Sequence, residues 1–304
     1  MAGESAELKP DVDCRENLEE DTRIVLLVGD VIGESGLFAL ESLLPLIKNE
    51  YSVNLTVVNG ENAADGFGMS EPSAKRIFAA GADVITSGNH IWEKRDFFPF
   101  LESEPRVLRP ANYPAGAAGR GFALFEKDAV RWLVINLQGR EFMSLTDCPF
   151  RVFDAIYEGA KFKENTVQAD GAVLPERSDS LSDPLVLVDF HAESTREKEA
   201  LAFYLDGRAA VVAGTHTHVQ TADERILPNG TAYITDLGSS GAKDSIIGMD
   251  KTICLERTRT QVAYKMECAK GAGFVQGIAV KINAKTGRAF SVERWTRHLT
   301  TDGQ

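Results

Sequence analysis

The chain has 304 residues, 43% of them hydrophobic, enough to bury a large core and too apolar for a disordered protein. Its net charge of −12 argues against duplex nucleic acid as a partner, because such binding draws on neutralised phosphates. No apolar run approaches the roughly 18 residues that span a bilayer, and Cys14, Cys148, Cys254 and Cys268 form no C-x-x-C pair, so a bound metal is expected on His, carboxylate and amide groups.

Residues 1–22 carry eight acidic and two basic side chains, a net −6 of the −12, and read as a disordered acidic tail. The start, MAGESAELKPDVDCREN, lacks a basic n-region and an apolar h-region, so no secretory signal is expected and the cytoplasm is the expected compartment. One domain is expected over residues 23–304. RIVLLVGD is a buried strand, LFALESLLPLIKNEY has helical spacing and SVNLTVVNG is the next strand. ENAADGFGM is a polar, glycine-rich loop. Ser70, with Pro72 in the first turn, caps a helix over SAKRIFAAGA that stops near Gly81. ADVITSGNH is a third strand running into a loop. Strand alternating with helix predicts a parallel sheet with crossover helices. FALFEK and VRWLVINLQG, with Asp128 between them, predict a hairpin, so the sheet is mixed or there are two. From Phe142 to Asp183 the pattern weakens into helices and connecting loops. LVLVDFHAE, AAVVAGT and TAYITDLG are further strands, TREKEALAFYLDG is an amphipathic helix ending near Gly207, and GFVQGIAVKIN and AFSVERWTRH close the domain.

Polar residues sit at the ends of five of these strands: Asp30; Glu61 and Asn62; Asn89 and His90; His191; and His216 with His218. They use four of the five histidines. In α/β sheets ligands bind where the carboxyl ends of the strands gather. Taken singly, each has a structural explanation. Asp30 could cap a helix, Glu61 and Asn62 could serve a turn, Asn89 could take a left-handed conformation, and His191 could be a hydrogen-bonded core residue. His216 and His218, at i and i+2 of an extended loop, are expected to point to one side. His298 has no such context and reads as structural.

Five such ends in succession have the composition of a two-metal hydrolytic site. Carboxylate and amide oxygens favour hard cations, and imidazole suits Fe, Mn or Zn. Two divalent ions sharing a carboxylate and a hydroxide can attack a phosphodiester, and His90 is the candidate acid for the departing alkoxide. The turn Gly29-Asp-Val-Ile-Gly33-Glu-Ser-Gly36 also invites a dinucleotide-site reading. Its spacing is not G-x-G-x-x-G, and Asp30 and Glu34 would face the pyrophosphate.

The stretches VNGENAADGFGMS, TSGNHIWEKRD, LRPANYP, DFHAESTREKEAL and GTHTHVQTADERILPNGTAYITD together resemble the calcineurin-like metallophosphoesterases, and within them the YmdB-like bacterial phosphodiesterases. The resemblance runs over nearly all of residues 23–298. It implies an α/β fold, a mixed sandwich of two β-sheets flanked by helices, around a di-metal centre that cleaves phosphodiesters. Cyclic nucleotides such as 2′,3′-cAMP, RNA-derived ones among them, are the implied substrates, and self-association of the chain is implied as well. It assigns Asp30, Asn62 and His218 to one ion, Asn89, His191 and His216 to the other, Glu61 as the bridge and His90 beside the scissile phosphate. The ions would be divalent or mixed-valence, Fe or Mn ahead of Zn. The wider superfamily's D-x-H is here Asp30-Val31-Ile32, and its bridging aspartate is Glu61, both features of the branch. Leu37, where an Arg is usual, and Leu237-Gly238-Ser239-Ser240-Gly241, where Gly-Met-Thr-Gly is usual, are expected at the rim of the site. An alternative keeps the site as a regulatory nucleotide-binding scaffold with little turnover.

Overall fold

The computed structural model describes residues 21–161 and 183–299. In chain order it contains β1 (Thr22–Val28), β2 (Asp30–Val31), α1 (Gly33–Tyr51), β3 (Leu55–Asn59), α2 (Glu71–Ala80), β4 (Val84–Thr86), α3 (Phe98–Ser103), β5 (Phe122–Lys127), β6 (Val130–Gln138) and α4 (Pro149–Lys161). Then come β7 (Leu185–His191), α5 (Thr195–Leu205), β8 (Val211–Thr215), β9 (Arg225–Ile226), β10 (Ala232–Ile234), β11 (Ser239–Ala242), α6 (Lys251–Thr260), β12 (Gly273–Asn283) and β13 (Ala289–His298). The acidic-tail expectation falls almost wholly on residues 1–20, outside the described residues, and its last residue, Thr22, already pairs with Asn283. Within the Phe142–Asp183 stretch α4 is present, and residues 162–182 lie outside the described residues.

The local elements follow from their residues. Ser70 accepts a hydrogen bond from Ser73 N–H while the Ser73 hydroxyl accepts one from Ser70 N–H, a reciprocal cap that starts α2. Gly81 ends that helix at φ 113, a left-handed position that glycine takes without steric penalty. Asp128 and Ala129, at φ 53 and 58, form the tight turn of the β5–β6 hairpin.

There are two sheets. The seven-stranded one runs β2-β11-β12-β1-β3-β4, with β13 pairing β12, and the six-stranded one runs β5-β6-β7-β8-β10-β9. β1, β3 and β4 are parallel, as are β6, β7 and β8. Strand alternation sorts the apolar residues into three layers. Val25 and Leu27 face inward, with Trp132, Val134, Leu187 and Val211, to form the core between the sheets. Leu26 and Val28 face outward onto Leu40, Leu44 and Ile77 of α1 and α2. Leu133, Ile135 and Val188 face the other way onto Phe153, Leu201 and Leu205 of α4 and α5. This is the helix-flanked two-sheet sandwich that the sequence motifs implied. No helix among the described residues is long and apolar enough to cross a membrane.

Of the two expectations about the rim, the one for Leu37 is corrected. Leu37 lies on the buried face of α1, inside the outer core with Leu40 and Leu44, because these lie one and two helical turns further along the same face. Ser239 and Ser240 pair in register with Asp30 and Val31, so they flank the site as backbone neighbours. The glycine turn is occupied by the protein itself. A Cβ at Gly29 would meet Gly238 O at 2.2 Å, and one at Gly36 would meet Ser240 O at 2.2 Å. Those glycines let the 238–240 segment approach, and the dinucleotide reading has no remaining support.

Candidate metal centre

The five polar strand ends converge, but from two sheets. β1, β3 and β4 bring Asp30, Glu61–Asn62 and Asn89–His90 from one, and β7 and β8 bring His191 and His216–His218 from the other. The site therefore lies at the common end of the sandwich, where the inter-sheet core opens. Asp30, Glu61, Asn62 and His191 are fully buried.

Two groups of donors are resolved. In the first, Glu61 Oε2 lies 2.7 Å from His191 Nε2, and His216 Nδ1 lies 3.0 Å from that same Nε2. Glu61, His191 and His216 together form a constellation able to hold a metal ion. In the second, His218 Nε2 lies 3.3 Å from Asp30 Oδ2 and 3.2 Å from Asn62 Nδ2. Glu61 adjoins the first group through Oε2, while its Oε1 accepts the backbone N–H of His90 at 2.7 Å. Asn89 opens a short 3₁₀ turn, Asn89–Trp92, at the end of β4. His298 ends β13 on the surface, paired with Phe274 of β12.

The arrangement of protons fits a cation. Thr215 donates its hydroxyl proton to Asp189 Oδ1 at 2.7 Å, so its oxygen is left to accept from His191 Nδ1–H at 3.0 Å. His218 Nδ1 lies 3.0 Å from Ile247 O, a carbonyl that can only accept. His216 Nε2 lies 3.2 Å from the Glu193 carboxylate. In each imidazole the outer nitrogen has an acceptor for its proton, so the inner nitrogen faces the cage and is the one that would ligate a metal, the arrangement that metal-binding histidines adopt. Asp30 Oδ1, Glu61 Oε2, Asn62 Oδ1 and Asn89 Oδ1 are buried without a hydrogen-bond partner. Glu61 Oε2 is close to His191 yet not aligned for a hydrogen bond, so the contact is one of converging donors. Buried polar atoms in folded proteins nearly always have partners, and four orphaned oxygens at these strand ends fit a cation.

The electrostatics say the same. Burial raises the Asp30 carboxyl well above its ordinary value, against the pull of His191. Burial also pushes Glu61 up, but His191 outweighs it and holds the carboxyl at about 2. Burial lowers His191, and the Glu61 charge more than reverses this, to about 9. His216 falls to about 3, through burial and then the neighbouring His191. The carboxylates thus draw positive charge inward, and in the metal-free chain a proton on His191 is what answers them.

The loop that carries His216 and His218 differs from the expected extended one. The two sit at φ 104 and 65, in the left-handed region that costs a non-glycine residue roughly 1–3 kcal/mol. Their rings diverge to the two donor groups instead of lying side by side. Sequence reasoning missed the network behind His191, in which the Asp189 carboxylate accepts from Asn59, Thr86 and Thr215. A signal was available, since Asp189 is two residues before His191 and strand alternation puts both on one face. Gly88 was also missed. A Cβ there would fall 2.1 Å from His191 Cδ2.

A family model described as YmdB-like protein matches residues 26–295. A protein of Bacillus subtilis (strain 168) named 2′,3′-cyclic-nucleotide 2′-phosphodiesterase is 41% identical over 271 residues, which cover 89% of this chain and 95% of that protein. The crystal structure of a hypothetical protein from Thermus thermophilus superposes with a TM-score of 0.78 at 38% identity, covering 90% of this chain and 99% of the other. That of a phosphatase from Mycoplasma pneumoniae does so with a TM-score of 0.79 at 28% identity, covering 91% and 94%.

Proposed function

The chain belongs to the YmdB-like family, and from that premise we propose that it is a metal-dependent phosphodiesterase acting on 2′,3′-cyclic nucleotides. The observation that carries the reading is the set of three imidazoles with inward-facing nitrogens and four unpartnered buried oxygens at these strand ends, with Glu61, His191 and His216 within reach of one ion. Asp30, Asn62 and His218 would hold one ion, Asn89, His191 and His216 the other, and Glu61 would serve both. Bound there, the ions supply Lewis-acid polarisation of the phosphoryl group and a water acidified to a nucleophile at neutral pH. Mixed oxygen and imidazole donors support Fe or Mn.

The protein's own contribution is positioning and proton transfer. His90 is tied to Glu61 through its backbone N–H, which leaves its imidazole at the mouth, 29% exposed, against the edge of Phe67 and 3.3 Å from Glu93 Oε1. There it can protonate the departing alkoxide. A 2′,3′-cyclic phosphate, including one left at an RNA terminus, presents such a leaving oxygen within the same nucleotide. Cys148, Cys254 and Cys268 are free thiols, which supports a reducing compartment such as the cytoplasm. The test is hydrolysis of bis-p-nitrophenyl phosphate and of 2′,3′-cAMP with added Mn²⁺, beside Glu61→Ala and His191→Ala. Wild-type turnover no greater than that of the variants would end the reading.

A further inference from the structure

We infer that the buried pair Lys198–Asp236 positions the His216–His218 turn and couples it to Asp30, so that one carboxylate outside the cage sets both of its halves. The inference rests on the cage being a metal site, and it assigns residues that neither the motifs nor the chemistry of the site call for.

Lys198 and Asp236 are almost wholly inaccessible, 1% and 0% exposed, and join at 2.8 Å. A lysine this buried is rare unless paired. The pair does not contribute a donor to the cage. Asp236 spends its oxygens on backbone and hydroxyl groups around the site. Its Oδ2 accepts Thr217 N–H at 3.0 Å and the Thr217 hydroxyl at 2.8 Å, as well as Lys198. Its Oδ1 accepts Gly238 N–H at 2.9 Å. Thr217 is the residue between the two histidines, whose left-handed backbone needs support from outside the loop. Gly238 in turn accepts the N–H of Asp30 through its carbonyl, at 3.2 Å. The carboxylate is therefore hydrogen-bonded to the residue between His216 and His218, and linked to Asp30 by two hydrogen bonds through Gly238.

Lys198 reaches Asp236 from α5 by crossing β8, and the crossing depends on a glycine. A Cβ at Gly214 would meet Lys198 Cδ at 2.9 Å and Thr235 O at 1.8 Å. The glycine of G-T-H-T-H thus makes room for the lysine stem and for the close approach of the β10 end. A buried ion pair adds little net stability compared with apolar residues of the same shape, so its value here is geometric. Lys198 is the one charged donor among the four that Asp236 accepts from, and it meets the carboxylate at 2.8 Å.

Mn²⁺ titration of the metal-free full chain, followed by calorimetry and by metal content after desalting, tests this without reference to turnover. Thr217→Val keeps the backbone bond and the side-chain shape but loses the hydroxyl bond. Asp236→Asn cannot accept from all four donors. Each variant should bind Mn²⁺ about 10–100-fold more weakly than wild type, as losses behind metal ligands do. Thr217→Ser, which restores the hydroxyl, should return to the wild-type affinity, an outcome that a general loss of stability would not give. Melting temperatures and far-UV circular dichroism confirm folding, and Thr217→Val carries the test if Asp236→Asn does not fold. Wild-type Mn²⁺ affinity in a folded Thr217→Val would overturn the inference, as would a Thr217→Ser as weak as Thr217→Val. A wild-type chain that binds no Mn²⁺ would instead overturn the metal reading, and this inference with it.

Discussion

Gly88→Ala tests the cage through a single methyl group. Gly88 lies just before Asn89 with φ −150, so the obstacle to a side chain there is contact and not a left-handed backbone. The new Cβ would stand 2.1 Å from His191 Cδ2, 2.2 Å from Nε2 and 2.4 Å from Cγ. Carbon atoms pack at about 3.5 Å or more, so the ring and the methyl must part by roughly 1.4 Å. The ring has little freedom to yield. It is fully buried, held by Thr215 at Nδ1 and bracketed by Glu61 and His216 at Nε2. Movement must break the Thr215 bond or withdraw the inner nitrogen from the cage. A misplacement of about 1 Å at a reacting site costs on the order of 10²-fold in rate. Gly88→Ala should therefore lose about that factor in turnover of bis-p-nitrophenyl phosphate, with metal content reduced after desalting. Wild-type turnover and metal content in a folded Gly88→Ala would show that His191 is not held where the structure puts it, and the cage argument would fail.

His90→Ala should retain both metals while losing about 10²–10⁴-fold in turnover, because the tie to Glu61 is a backbone N–H that alanine keeps. Loss of metal in that variant would contradict its role as an acid. The metal-free chain should also show a specific pH response. His191, at 6.5 unfolded and about 9 folded, contributes stability in full below pH 6.5 and loses it as the pH rises through 9. The melting temperature of the chelator-treated protein should fall across that window, and Mn²⁺ should remove most of the fall by replacing the proton. A melting temperature that is flat from pH 6.5 to 9 without metal would refute the pairing of His191 with Glu61.

The sequence determined the elements and the identity of the polar strand ends. The apolar run RIVLLV, the Ser70 cap and the Gly81 stop are local signals, set within a few residues, and each appears in the structure where the chain predicts it. Asp30, Glu61, Asn62, Asn89, His191, His216 and His218 were legible as candidates because side chains of metal-ligating type recur at equivalent strand ends, and the structure brings Glu61, His191 and His216 within reach of one another. What tertiary structure decided is which elements meet. That the ends come from two sheets, that Leu37 is core while Ser239 flanks Asp30, and that Asp236 and Lys198 close behind Thr217 all depend on contacts between distant parts of the chain. Such contacts leave no periodic trace. The same holds for the turn at His216 and His218, whose left-handed backbone runs against local preference and is imposed by partners more than a dozen residues away.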